Sequence, residues 1–117
     1  MLKKIGIVLF AFFLLSASSS FAQQIVKSFP SPGPEPRGLT WDGSFLWCAD
    51  FSKDSIFKID PANGNTLSSI PFDIYDPDWG GLTWSSDGNL WVANGPFVFK
   101  INPQTAETTG SFHCPGG

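Results

Sequence analysis

Apolar residues cluster in runs of three to five along this chain, divided by Gly, Pro, Asn and Asp, and nothing reads as an amphipathic helix. The runs predict strands at 38–41, 45–49, 55–60 and 66–72, and again at 81–84, 89–93, 97–102 and 107–112. Aromatic and β-branched residues fill them, as half-buried pleated surfaces favour. Between them stand residues that set turns: Asp42-Gly43, Pro61-Ala62-Asn63-Gly64, Asp87-Gly88 and a turn near Gln104.

The second set of strands repeats the first. Gly38-Leu39-Thr40-Trp41 recurs 43 residues later as Gly81-Leu82-Thr83-Trp84. Leu46-Trp47-Cys48-Ala49 recurs at 44 as Leu90-Trp91-Val92-Ala93, and Phe57-Lys58-Ile59-Asp60-Pro61 at 42 as Phe99-Lys100-Ile101-Asn102-Pro103. Three ordered blocks at nearly one offset define a four-strand unit of about 40 residues, the length of a repeat that buries its faces only by stacking on neighbours. Trp41, Trp47, Trp84 and Trp91 hold matching positions and are expected to pack one unit against the other. Ser28-Phe29-Pro30-Ser31-Pro32-Gly33 matches Ser111-Phe112-His113-Cys114-Pro115-Gly116, so 24–37 reads as a lone fourth strand and its loop, ahead of full units at 38–72 and 81–114.

Pro36-Arg37-Gly38-Leu39-Thr40-Trp41-Asp42-Gly43, Leu46-Trp47-Cys48-Ala49-Asp50 and Ile56-Phe57-Lys58-Ile59-Asp60-Pro61 together resemble the NHL and YVTN type of β-propeller repeat. The resemblance covers essentially all of 23–117 and implies an all-β fold of propeller blades: two four-stranded antiparallel repeats plus an N-terminal extra strand, an incomplete propeller. It implies little about activity, because scaffolds, lactonases, glutamine cyclotransferases and sugar binders share this architecture. Propellers generally have four to eight blades. The register therefore raises three expectations: a segment of a longer propeller, a ring of several copies joined through blade edges, or an open array with exposed edges.

The first 22 residues stand apart. Lys3 and Lys4 precede an apolar run of about 11 residues, then small residues ending Ser20-Phe21-Ala22, the layout of a secretory signal peptide cleaved after Ala22. The run is short of the ~20 residues that span a bilayer. Export to the periplasm or the extracellular space is expected, with no membrane association after cleavage. Loss of the two lysines takes the formal charge from −3 to −5, ten acidic groups against five basic. No basic stripe for nucleic acid remains. An oxidising destination permits a disulfide between Cys48 and Cys114. A bridge needs Cα atoms within ~7 Å, which their placement a blade apart disfavours. Cys48 reads instead as a small buried apolar residue at the position Val92 fills.

The resemblance also implies that the loops joining the fourth strand to the next first strand, and the second to the third, share the ligand-facing end. There, Asp73-Ile74-Tyr75-Asp76-Pro77-Asp78-Trp79 stands out. Asp73, Asp76 and Asp78 offer hard oxygen ligands of the kind Ca²⁺ takes. Tyr75 and Trp79 offer aromatic bodies with polar edges, suited to a sugar ring. Arg37 and Asp50 lie at the same end and complete the candidate set; the alternative is a solvated loop whose Asp-Pro steps set turns. Catalytic patterns are thin. No Ser lies in a Gly-x-Ser-x-Gly context, and His113, the one imidazole, is adjacent to Cys114 and so faces away from it on a strand. The residues therefore favour an exported, non-catalytic scaffold binding a protein or carbohydrate. The alternatives are a fragment of a lactonase-like or glutamine cyclotransferase-like propeller enzyme, and a small sugar-binding propeller assembled from several chains.

Overall fold

A computed structural model describes residues 23–73 and 80–115. The signal-peptide residues and Tyr75, Asp76, Asp78 and Trp79 lie outside the described residues. Eight strands follow in order: β1 (Pro36–Trp41), β2 (Leu46–Asp50), β3 (Ser55–Ile59), β4 (Thr66–Pro71), β5 (Gly81–Trp84), β6 (Leu90–Asn94), β7 (Phe97–Ile101) and β8 (Thr108–His113). They form two four-stranded antiparallel meanders, β1-β2-β3-β4 and β5-β6-β7-β8, each one propeller blade. No helix among the described residues is long and apolar enough to cross a membrane.

Local chemistry sets each hairpin. Asp42 Oδ1 accepts hydrogen bonds from the amides of Ser44 (2.8 Å) and Phe45 (2.7 Å), which closes the β1–β2 turn around Gly43 at φ +102°. Such an Asx turn with a left-handed glycine is what Asp-Gly encodes. The two blades share an irregularity, a register shift at Lys58/Ile59 in one and at Lys100/Ile101 in the other, while the shift at Pro36/Gly38 in β1–β2 has no counterpart in β5–β6. At the β3–β4 turn the Gly64 amide donates to the Asp60 carbonyl at 2.8 Å with φ +77°. At the matching β7–β8 turn the Ala106 amide donates to the Asn102 carbonyl at 2.8 Å with φ +63°.

The core lies between the blades. Thr40, Trp47, Ala49, Ile56 and Ile70 share one face of the first sheet by strand alternation. Of these, Trp47, Ala49, Ile56 and Ile70 form one buried cluster with Leu82, Leu90, Val92 and Ile101 of the second sheet. Phe72, Trp84 and Phe99 pack on its margin, Phe72 meeting Phe99 edge-on at 5.6 Å between ring centres. Inner strands β1 and β5 approach most closely. A Cβ on Gly38 would lie 2.9 Å from Leu82 Cβ, and the Trp84 amide donates to Thr40 Oγ1 at 3.0 Å.

Two expectations need correction. The four tryptophans are not all covered: Trp47 and Trp84 belong to the interface, whereas Trp41 is 49% exposed and Trp91 is half-buried on the outward face of the second blade. Each blade has two apolar faces, and a single interface covers one face of each. The segment 24–29 also forms no strand. A fourth strand pairs with a third, and β3 and β7 already hold β4 and β8 on their outer sides. The segment instead runs beside the outward face of the first blade, with Phe29 against Gly64 and Lys27 Nζ donating to the Ala62 carbonyl.

Candidate functional site

Of the residues singled out by sequence, Arg37, Asp50 and Asp73 lie at the end of the blades where β1 and β5 begin and where β2 and β6 finish. β2 ends on Asp50 and β6 on Asn94, and both side chains are fully buried. Burial of a carboxylate is tolerated only when its oxygens are satisfied. Asp50 Oδ2 accepts the Glu35 amide at 2.9 Å, while Oδ1 accepts the Lys53 amide and the Ser52 hydroxyl, both at 3.0 Å. The Phe51 amide donates to the Glu35 carbonyl at 3.0 Å. Asp50 thus ties the loop before β1 to the β2–β3 loop. The fit depends on Gly33, where a Cβ would fall 2.5 Å from the carboxylate.

Asn94 does the corresponding work one blade on. Its Nδ2 donates to the Asp73 carbonyl at 2.8 Å and so fixes the start of the loop that leads to β5. The other end of that loop is set at Gly80, where a Cβ would lie 2.5 Å from Arg37 Cβ. Arg37 and Asp73 are both exposed. Asp54, at φ +46°, donates its amide to the Phe51 carbonyl (3.2 Å) and accepts the Phe72 amide (2.9 Å), which closes the β2–β3 loop.

The structure therefore brings Arg37, Asp73 and Asp50 to one end of the molecule, but not into one cluster of side chains. Asp50 is inside, with its oxygens engaged by loop donors. Arg37 and Asp73 flank the two ends of the 74–79 segment, in which the other four candidates fall. Among the described residues no group of three or more His, Cys, Asp or Glu forms a metal-binding cluster. Asn94 is the loop-tying residue at this end that sequence reasoning passes over. Its signal is the repeat itself, because Leu90-Trp91-Val92-Ala93-Asn94 ends on a short polar residue as Leu46-Trp47-Cys48-Ala49-Asp50 does.

At the opposite end, polar groups support the turns. Asp42 Oδ2 accepts the Trp47 indole N–H at 2.8 Å, and Lys58 Nζ sits 4.3 Å from the Phe45 ring centre. Burial works to raise the Asp42 pKa, but the Trp47 indole, the amides of Phe45 and Ser44 and the Lys58 charge outweigh it and hold the carboxyl below its ordinary value. Asp87 pairs with Lys100 at 2.7 Å in the second blade, and hydrogen bonds from Lys100, Ser85 and Asn89 hold its carboxyl well below the usual range. Cys48 is buried and Cys114 partly so, both as free thiols. Burial, and then the nearby Asp50, push the Cys48 thiol up.

Known structures place this fold among larger propeller-like proteins. A glutaminyl cyclase from Myxococcus xanthus matches 67% of the chain at 18% identity with a TM-score of 0.55, over 32% of its own length. The hydrazine synthase of Kuenenia stuttgartiensis matches 81% of the chain at 18% identity, also with a TM-score of 0.55, over 27% of its own length. The chain thus spans less than a third of the length of either. Identity this low speaks for the fold alone. No protein-family model matches the sequence, and no curated protein matches it.

Proposed function

We propose that this chain is an exported, non-catalytic β-propeller repeat segment of the NHL/YVTN type that binds a carbohydrate or protein ligand at the loop end of its blades. One observation carries the reading: Asp50 and Asn94, at matching strand ends, each fasten the loop that precedes their own blade. Loop ends tied in this way set Glu35 and Asp73 on a rigid scaffold, which is how a fold turns loops into a recognition surface. Arg37 and Asp73 mark that surface, and Tyr75, Asp76, Asp78 and Trp79 belong to the loop between them. The aromatic and acidic side chains suit a sugar held by stacking and hydrogen bonds, with Ca²⁺ as a ligand bridge through the three aspartates.

The purified protein should bind at least one glycan class on an array, and Trp79→Ala and Arg37→Ala should each remove the signal while leaving the melting transition in place. Calcium titration with and without chelator tests the bridge. The likeness to a glutaminyl cyclase supplies the decisive counter-assay. Steady cyclisation of a glutaminyl substrate by the purified chain would overturn the non-catalytic reading. Export is checked with a reporter carrying residues 1–22, which should appear outside the cytoplasm with its new N-terminus at Gln23.

A further inference from the structure

The interface inside this chain is written twice, and the second copy leaves Leu39, Trp41 and Phe112 exposed. The first blade meets the second through Thr40, Trp47, Ala49, Ile56 and Ile70. The outward face of the second blade carries Thr83, Trp91, Ala93, Val98 and Phe112 at the same ladder positions. The receiving face of the second blade is built on Leu82, Trp84, Val92 and Ile101. The outward face of the first blade carries Leu39, Trp41, Cys48 and Ile59 at the same positions, with Leu39 and Trp41 exposed and Cys48 and Ile59 buried. On those two outward faces Leu39 is 62% exposed, Trp41 49% and Phe112 53%. A cleft of about 450 Å³, floored by Leu39, Leu46, Cys48 and Ile59, opens on the first, and one of about 280 Å³, beside Thr83, Trp91 and Val98, on the second.

Two details show that the second copy keeps the parts needed for close approach. Gly38 is required where it stands, because a Cβ would meet Leu82 Cβ at 2.9 Å and its amide nitrogen at 3.0 Å. Gly81 repeats it, yet a Cβ there would meet nothing nearer than Ala93 Cβ at 3.9 Å. Thr40 Oγ1 accepts the Trp84 amide across the interface. Thr83 repeats Thr40, and Trp41 repeats Trp84 in the ladder, immediately before the Asp42-to-Phe45 bond as Trp84 precedes the Ser85-to-Asn89 bond. Antiparallel alternation therefore turns the Trp41 amide away from β2, ready for a hydroxyl acceptor.

We propose that a second copy of this chain docks head to tail, the outward face of its second blade on the outward face of the first blade, reproducing the internal blade–blade interface between molecules. Gly81 then lies against Leu39 of the next copy, and Thr83 Oγ1 accepts the Trp41 amide. Such a contact is heterologous: it uses two different surfaces, leaves both available at the ends of a dimer, and closes into a ring when the rotation permits. It rests on the blade geometry and is independent of the ligand-binding reading. It also has a competitor within the chain. Lys27, Ser28 and Phe29 line the cleft on the receiving face, so an incoming copy must displace Phe29 from Gly64.

Sedimentation velocity of the purified protein over a wide concentration range tests this. The wild-type protein should associate reversibly. Leu39→Arg spoils only the receiving face and Thr83→Arg only the docking face, and each alone should be monomeric with an unchanged melting transition. Mixed together, they should form a one-to-one heterodimer, because each supplies the face the other lacks. Gly81→Ala should weaken association without loss of stability, and Phe29→Ser should strengthen it. A wild-type protein monomeric at every concentration overturns the proposal. So do arginine variants that associate as well as wild type, or a mixture that fails to pair. Should an arginine variant lose its cooperative transition, Gly81→Ala and Phe29→Ser decide the matter, and no change in association with either overturns it.

Discussion

Single residues in this fold differ in what they owe to their neighbours, and two make that measurable. Asp42 holds a lowered carboxyl pKa through the Trp47 indole, two turn amides and Lys58, against the opposing effect of burial. A carboxylate depressed in the folded state contributes stability above its unfolded pKa, near ~3.9. That contribution is lost as pH falls through the folded value. Melting temperature should therefore fall on acidification below about pH 4. Asp42→Asn should flatten part of that slope, and Asp87→Asn a separate part, since Asp87 titrates low through Lys100, Ser85 and Asn89. Ala106 is the second case. It holds φ +63° at the turn position where the first blade has Gly64 at φ +77°. A Cβ in the left-handed region costs about 1 kcal/mol, so Ala106→Gly should raise unfolding stability by about that amount in urea titrations. The exchange is not symmetric. Gly64→Ala places a Cβ within 2.4 Å of the Phe29 ring and should release that residue from the blade.

Among elements, the loop staples make Asp50 a structural acid. Asp50→Ala removes the charged acceptor that the Glu35 and Lys53 amides and the Ser52 hydroxyl share and unties the two loops, which should cost about 1–3 kcal/mol. Asp50→Asn keeps one acceptor oxygen, as Asn94 does on the second blade, and should cost less. Denaturant titration of the two variants checks the order, and equal losses would show that the carboxylate charge matters more than its acceptors. Legibility turns on the same kind of contact. The strands, turns and repeat are readable because alternation and Asp-Gly or Asn-Gly turns are local rules, and the expected boundaries stand within about two residues of the observed ones. Asp50 is readable only as an acid near a loop. That its carboxylate is sealed inside depends on Gly33 lying against it from another segment, a contact that no spacing encodes. The outward turn of Trp41 and Trp91 is hidden for a similar reason, since alternation gives the face of a strand but not what covers it.

At the scale of the whole molecule, the interface between blades decides whether the two sheets fold as one. A four-stranded sheet with both faces apolar has little of its own to fall back on when the neighbouring sheet leaves. The buried cluster draws on both sheets, with Ile56 and Leu90 completely enclosed on either side of it. Truncating such a side chain removes its transfer energy and leaves a cavity, together about 2–5 kcal/mol. Ile56→Ala and Leu90→Ala should therefore each lower the stability of both blades, not only of the one that carries the change. Amide exchange followed residue by residue distinguishes the cases. If the blades are a single cooperative unit, protection falls by the same free energy in β2 and in β6 for either variant. If they are independent, Ile56→Ala leaves β6 protection unchanged, and the reading of the inter-blade core as the element that holds this fold together is wrong. Leu39→Ala, on the exposed outward face, is the matched control: it should leave monomer stability within about 0.5 kcal/mol of wild type, because solvent already occupies the space a methyl group would vacate.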